Sequence, residues 1–375
     1  MGGGIRQSLG GSCSNSQCSL KPSRRLPKRP NLSLKTFGTL PYQFILRIAG
    51  EVVGYNFAKS CYSINEHRGR FRPIRKEACM VAPAKNRLLN ILLADDGSLN
   101  ARAAVQLLAD LPHSSETVVT ALRVFTPVQA TEMSFVEETL EKTKNLLKSR
   151  HLRVRSEMVL GYPAEKIIEF AEAHHPDLIV MGAKGRRAVP EILLGGVAMH
   201  VVEDGRWPVL VVREPVKGLK RILLVTDGSP CSELACSYMQ GFPLPAGADV
   251  TIMHVVPPIR PSYFVEPTGM ALSVLSAEEE ERIRREDEQL GMGILQKAHD
   301  ALEAGGLKPE TLLRYGDAAD QILKFVKEEQ VDLIVAGSRG LGTFTSWLMG
   351  SVSRKLVHYS KCSVLIVRCA RQEQS

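Results

Sequence analysis

Two stretches of the chain, 155 residues apart, carry one signature: an apolar run ends at a glycine, a second glycine follows after two residues, and a third after nine more. The later copy reads Leu333-Ile334-Val335-Ala336-Gly337-Ser338-Arg339-Gly340 and runs on to Gly350-Ser351-Val352-Ser353. The earlier reads Leu178-Ile179-Val180-Met181-Gly182-Ala183-Lys184-Gly185 and runs on to Gly195-Gly196. Runs this apolar read as strands buried on both faces. Past the third glycine of the later copy, Val352, Leu356 and Val357 recur at helical spacing. Glycines where a strand gives way to a helix let backbone N–H groups approach a ligand closely. The helix start adds unpaired N–H groups and the positive end of its dipole, which suit a phosphate. A phosphate cradle is one reading, and plain turn glycines are the other. That the signature occurs twice favours the cradle.

The rest of the chain repeats with it. Strand-like runs at 88–94, 118–125, 152–160, 177–182 and 208–213 alternate with helical patterns at 101–108, 135–147, 164–173 and around Ala198, Val201 and Val202. A short linker, 214–219, precedes a second round with strands at 222–225, 250–256, 311–313, 333–336 and 363–368. Such alternation implies a mostly parallel sheet covered by helices on both faces. The expected fold is α/β: two tandem five-stranded parallel Rossmann-like domains, 88–213 and 220–369. The offset between copies grows from 131 (Asp96 to Asp227) to 155 (Gly182 to Gly337), so copy two holds 24 extra residues after its second strand. Part reads as a loop, 257–275. The remainder lengthens a helix that opens on the capping box Ser276-x-x-Glu279. Its pairs Glu278/Arg282, Glu280/Arg284 and Glu281/Arg285 read as a solvated face.

Charge separates a third piece. Residues 1–87 hold 16 Lys and Arg against three acids, whereas the remainder holds 32 against 37, so the net +8 of the whole chain is no property of the repeats. This basic extension, rich in Gly, Ser, Pro and Arg, reads as disordered, or as untranslated with Met80 as the start. Organelle targeting is the second reading and a nucleic-acid arm a distant third. No window reaches the ~18 apolar residues of a membrane helix. No membrane partner is therefore expected, and the cytoplasm is the expected location, with an organelle as the alternative. The eight cysteines show no C-x2-C spacing of a zinc site. Free thiols and no protein-bound metal are expected.

In a doubly wound sheet, ligands sit outside the carboxyl ends of the strands where strand order reverses. The tails of the two first strands, Asp95-Asp96-Gly97-Ser98 and Asp227-Gly228-Ser229, reach that crevice. An Asp there can accept from a base amino group or a ribose hydroxyl; capping the next helix is its plainer role. No nucleophile–base pair stands out, so no catalytic residue is expected. His254 lies in a strand, where packing accounts for it, and Asp95 and Asp96 should point to opposite sides.

Across residues 88–369 the chain resembles a tandem universal stress protein, two UspA-type domains fused. The strand ends ILLADDGS and ILLVTDGS, the loops DLIVMGAKG and DLIVAGSRG, and G-x2-G-x9-G-S at Gly337, Gly340, Gly350 and Ser351 carry the resemblance. It implies an adenine nucleotide alpha hydrolase-like fold that pairs through its last strands, here within one chain, with a homodimer as a further assembly. It also implies ATP binding, with Mg²⁺ on the phosphates, in members that keep the full motif. By position, Asp227 and the main chain at Val255 would hold the adenosine. Gly337, Arg339, Gly340 and Gly350 would line the phosphate loop, and the hydroxyls of Ser351 and Ser353 would reach the phosphates. The implied role is a stress-response regulatory module, at most a slow ATPase; an interaction scaffold with empty clefts is the alternative. Copy one departs from the pattern, with Gly196 in place of Ser351 and Ala198 in place of Ser353. Asp96, Val124, Gly182, Gly185 and Gly195 remain as a weaker pocket. A charge-assisted hydrogen bond is worth ~1.5–3 kcal/mol, so losing two weakens binding by orders of magnitude. Copy two is the expected ATP site.

Overall fold

The computed structural model describes residues 62–64, 71–73, 89–127, 133–186, 193–259, 263–265, 271–273, 276–341 and 349–369. The chain divides into two compact units at Ile74 and Arg75. In the first, Tyr62–Ile64 pairs antiparallel with Phe71–Pro73; the remainder of the basic extension lies outside the described residues.

Repeat one consists of β1 (Asn90–Ala94), α1 (Leu99–Asp110), β2 (Val118–Phe125), α2 (Met133–Ser149), β3 (Arg153–Leu160), α3 (Pro163–His174), β4 (Leu178–Gly182), α4 (Gly196–Asp204) and β5 (Val209–Val212). Repeat two follows the same plan: β6 (Arg221–Val225), α5 (Pro230–Gly241), β7 (Asp249–Val256), α6 (Ala277–Ala304), β8 (Glu310–Tyr315), α7 (Ala318–Glu328), β9 (Leu333–Gly337), α8 (Ser351–Tyr359) and β10 (Ser363–Val367). The strands form one ten-stranded sheet in the order β8-β7-β6-β9-β10-β5-β4-β1-β2-β3. Within each repeat all pairs are parallel, and strand order reverses between the first and fourth strands. The expected α/β class and five strands per repeat are what the structure has.

Two apolar clusters sandwich the sheet. One joins α1, α2, α5 and α6 to one face through Leu107, Leu147, Ala235 and Leu295; the other joins α3, α4, α7 and α8 to the opposite face through Ile167, Val201, Ile322 and Leu356. Each runs through both repeats. Complete burial of a Leu or Ile side chain stabilises by about 1.5–3 kcal/mol. A one-residue slip of β4 or β9, buried at every inner position, would therefore be costly.

The repeats meet through antiparallel pairing of β5 with β10, Leu210 opposite Leu365. At the two ends of that seam sit Arg213 and Arg368, the same position in each repeat and both buried. Arg213 donates from Nη2 to the carbonyls of Val357 (2.6 Å) and His358 (3.4 Å) at the end of α8, and from Nη1 to Leu193 O. Arg368 donates from Nε to Gly205 O (2.7 Å) and from Nη2 to Glu203 O (2.6 Å) at the end of α4. Each repeat thus caps the last helix of the other, placing a cation at the negative end of its dipole. Burial pulls the Arg213 guanidinium down to about 10, so it remains charged at neutral pH.

Two expectations are corrected here. The insertion read as a loop contains a short antiparallel pair, Tyr263–Val265 with Ala271–Ser273; three-residue strands are too brief for alternation to show. Cys231 and Cys369, expected as free thiols, form a disulfide with Cα atoms 5.3 Å apart. They lie 138 residues apart in sequence, and only the return of β10 beside α5 brings them together. The capping box forms as read, Ser276 Oγ accepting from Glu279 N and Glu279 Oε2 accepting from Ser276 N.

Candidate functional site

Each repeat opens a cleft at the strand-order reversal, outside the carboxyl ends of its first and fourth strands. The repeat-two cleft, about 380 Å³, brings together Asp227, Val255, Gly337, Arg339, Gly340, Gly350, Ser351 and Ser353, with Ala318 and Ile322 of α7 as its far wall. The repeat-one cleft, about 370 Å³, brings together Asp96, Val124, Gly182, Gly185, Gly195, Gly196 and Ala198. The sequence-selected residues converge in both.

The three glycines of the later signature have different reasons to lack a side chain. A Cβ on Gly337 would lie 2.6 Å from the Cys231 carbonyl and 2.9 Å from Ser232 N, because the first turn of α5 packs directly on the end of β9. A Cβ on Gly340 would lie 2.4 Å from Asp227 Oδ2. Gly350, whose N–H donates to Ser338 O (2.9 Å), brings the start of α8 against the loop, where a Cβ would meet Arg339 Cα at 3.4 Å. Repeat one repeats all three: Gly182 against Asn100 and Ala101 (2.7 Å), Gly185 against Asp96 Oδ2 (2.8 Å) and Gly195 against Ala183 O (3.3 Å). Gly340 therefore makes room for a carboxylate.

Asp227 is held on both oxygens. Ser229 N donates to Oδ1 (3.0 Å) and Leu341 N to Oδ2 (3.1 Å). Asp96 takes the matching bonds from Ser98 N (3.0 Å) and Arg186 N (3.1 Å). The helix caps are the serines: Ser229 accepts from Ser232 N and Ser98 from Ala101 N. Those hydroxyls also donate to the glycine loops, Ser229 Oγ to Arg339 O (3.2 Å) and Ser98 Oγ to Lys184 O (2.9 Å). The sequence reading passed over this role, although the DGS triplet stands in both copies and marks it.

Val255 is placed by the ladder. Val225 and Met253 are the last paired residues of β6 and β7, and Thr226 N donates to Met253 O (3.0 Å). Two residues further along, the Val255 main chain faces the same side after β6 has ended, so its polar groups border the cleft. On the opposite side of β7, Val256 O accepts from Gly316 N (3.0 Å).

The two serines of α8 divide. Ser351 is exposed at the first position of the helix, beside N–H groups of the first turn that have no intrahelical partner. Ser353 is buried and donates to Gly337 O (2.7 Å). Its proton braces the end of β9. In repeat one, Ala198 leaves the corresponding brace unmade, and a Cβ on Gly196 would meet nothing within 4 Å.

Beneath the clefts the repeats differ more than their motifs suggest. In repeat two, His254 Nδ1 lies 2.8 Å from Thr226 O, buried under α6, where Gly291 leaves room for the ring. The same positions in repeat one hold Arg123 and Asp95, both buried; Arg123 Nη1 donates to Asp95 O (2.8 Å) and lies 4.0 Å from Asp95 Oδ1. Burial lowers the Arg123 pKa and the two aspartates oppose this. Asp95 also accepts from Thr143 Oγ1 (2.7 Å) and Gly97 N (2.8 Å). Asp95 is thus structural, while Asp96 borders the cleft.

Comparison with known proteins follows the same division. A universal stress protein of Methanocaldococcus jannaschii is 43% identical over 81 residues, 22% of this chain and 48% of that one, so the chain spans about half of that relative's length. A universal stress protein of Mycolicibacterium smegmatis is 27% identical over 307 residues, covering 74% of this chain and 96% of the relative. The crystal structure of a universal stress protein from Archaeoglobus fulgidus superposes with a TM-score of 0.52 at 22% identity, over 76% of this chain and 97% of that one, a likeness of fold. The sequence model of the Universal stress protein family matches twice, at residues 88–213 and 218–368, and the chain belongs to that family as a tandem of two such domains.

Proposed function

We propose that the chain is an adenine-nucleotide-binding regulatory module, with ATP held in the repeat-two cleft and repeat one weak or structural. One observation carries this reading: Asp227, the main chain at Val255 and the Ser351 end of α8 border a single cleft. Its volume, about 380 Å³, falls in the range of small-molecule sites. The carboxylate accepts from a base or ribose, the first turn of α8 and the Ser351 hydroxyl donate to phosphates, and Arg339 adds a cation. Mg²⁺ would enter on the phosphates. Among the described residues lining the cleft, no nucleophile–base pair is present, so hydrolysis is at most slow.

In repeat one, Gly196 contributes no side chain where Ser351 stands in repeat two, and that cleft favours the scaffold reading. Thermal unfolding of the full chain with ATP, and again with Ser351→Glu, tests the proposal. Ligand at a hundred times Kd stabilises by about 2.7 kcal/mol. ATP should raise the midpoint of the parent and leave that of the variant unmoved; no shift in the parent contradicts the reading.

A further inference from the structure

The repeats are acidic as a whole, with 37 Asp and Glu against 32 Lys and Arg after residue 87. One cleft inverts this. It lies at the amino ends of β6, β9 and β10, the end of the sheet opposite the glycine loop, and measures about 300 Å³. Five cations line it, Arg213, Lys217, Arg221, Lys327 and Lys361, against a single acid, Asp332. One oxygen of that acid is occupied by two backbone donors, Lys220 N and Arg221 N, each at 2.9 Å. Lys217, Arg221, Lys327 and Lys361 are exposed and make no ion pair among the described residues. Arg213 is only 7% exposed, and its Nε–H has no hydrogen-bond partner among the described residues.

The fold does not demand this charge. By the repeat offsets, the positions of Arg221, Lys327 and Tyr359 are Asn90, Glu172 and Asp204 in repeat one, and Lys217 belongs to the linker, which occurs once. Lys361 and Arg213 have cations as counterparts, Arg206 and Arg368, so three of the five, Lys217, Arg221 and Lys327, are particular to one side of a duplicated fold. Between the charges, Val216, Leu219, Val326 and Val331 supply an apolar wall, and Tyr359 stands at the rim with 55% of its surface exposed.

Like charges around a low-dielectric cleft focus the field and raise the local concentration of counter-ions. Lysines answer a phosphate as point charges. We propose that this junction cleft binds a small organic phosphate with an apolar or aromatic body. The site is separate from the nucleotide cleft and does not depend on it.

Phenyl phosphate is the probe, titrated into the full chain at constant ionic strength, with inorganic phosphate in a parallel arm. Lysine acetylation read by mass spectrometry locates the binding. Phenyl phosphate should protect Lys217, Lys327 and Lys361 and leave Lys324 and Lys355 reactive, and should bind more tightly than inorganic phosphate. Lys327→Glu with Lys361→Glu should weaken it at least tenfold; Lys327→Gln with Lys361→Gln serves if the first pair lowers the melting point. Even protection of all surface lysines, or undiminished affinity in a folded double variant, overturns the proposal. Equal affinity for the two probes overturns the apolar-body assignment.

Discussion

The carboxylate of Asp227 fills the space that a side chain at Gly340 would need: Oδ2 lies 2.4 Å from where that Cβ would stand. Gly340→Val must therefore push Asp227 from Ser229 N and Leu341 N, its two anchors. Nucleotide affinity should fall at least tenfold, about 1.4 kcal/mol, in a protein that still folds. Adding Asp227→Ala should relieve the crowding and restore the melting point without restoring affinity. Unchanged affinity in the folded single variant would show that Asp227 contacts no ligand.

The two serines of α8 should separate in experiment. Ser353→Ala leaves the buried Gly337 carbonyl unpaired and should cost about 1–3 kcal/mol of stability. Ser351→Ala removes an exposed hydroxyl and should leave unfolding unchanged while weakening ATP. Urea unfolding and ATP titration of both variants decide. The reverse pattern would make Ser353 the phosphate ligand.

Arg213→Met and Arg368→Met should each destabilise the full chain by about 1.5–3 kcal/mol, the worth of hydrogen bonds to a charged group. Because each arginine caps a helix of the other repeat, the loss should appear in both repeats. Hydrogen exchange of α4 and α8 reads it, and a change confined to the mutated repeat would contradict mutual capping. The shared seam also argues for testing ligands on the full chain, since either repeat alone exposes β5 or β10 as an open edge.

Burial pushes the Cys236 thiol up to about 12, Glu233 adding to the effect and Lys297 opposing it. Its thiolate is scarce below that value, so iodoacetamide at pH 8 should leave Cys236 unlabelled in the native protein. Peptide mapping without reductant should recover Cys231 and Cys369 as a linked pair. A reductant should lower stability by about 2–4 kcal/mol, since the bond closes a long loop. Alkylation of both Cys231 and Cys369 in the oxidised native protein would refute the link.

The paired glycine signature and the β-α alternation made the architecture readable from the sequence, since period and repetition are local properties. That Asp227 and Ser351 border one cleft was readable for the same reason, Asp227 as a repeated residue at a strand end and Ser351 as an unrepeated one at a helix start. What the sequence concealed depends on return paths. Cys231 meets Cys369 only when β10 closes beside α5, and Arg213 caps α8 only when the repeats pair. That Gly340 clears room for Asp227 was hidden because the two lie 113 residues apart. That the Ser353 hydroxyl bonds Gly337 O was hidden because motif position carries no information on where a hydroxyl points.

The central claim is that one cleft of two holds ATP, and a matched pair of substitutions at equivalent positions tests it. Gly196 tolerates a side chain, with nothing within 4 Å of its Cβ, and Ser351 is exposed. Glutamate at either position adds a charge that repels phosphate and suits a helix start. Equilibrium dialysis of the full chain should give about one ATP per chain, kept by Gly196→Glu and abolished by Ser351→Glu. Two ATP per chain, or loss of binding in Gly196→Glu with retention in Ser351→Glu, would contradict the account.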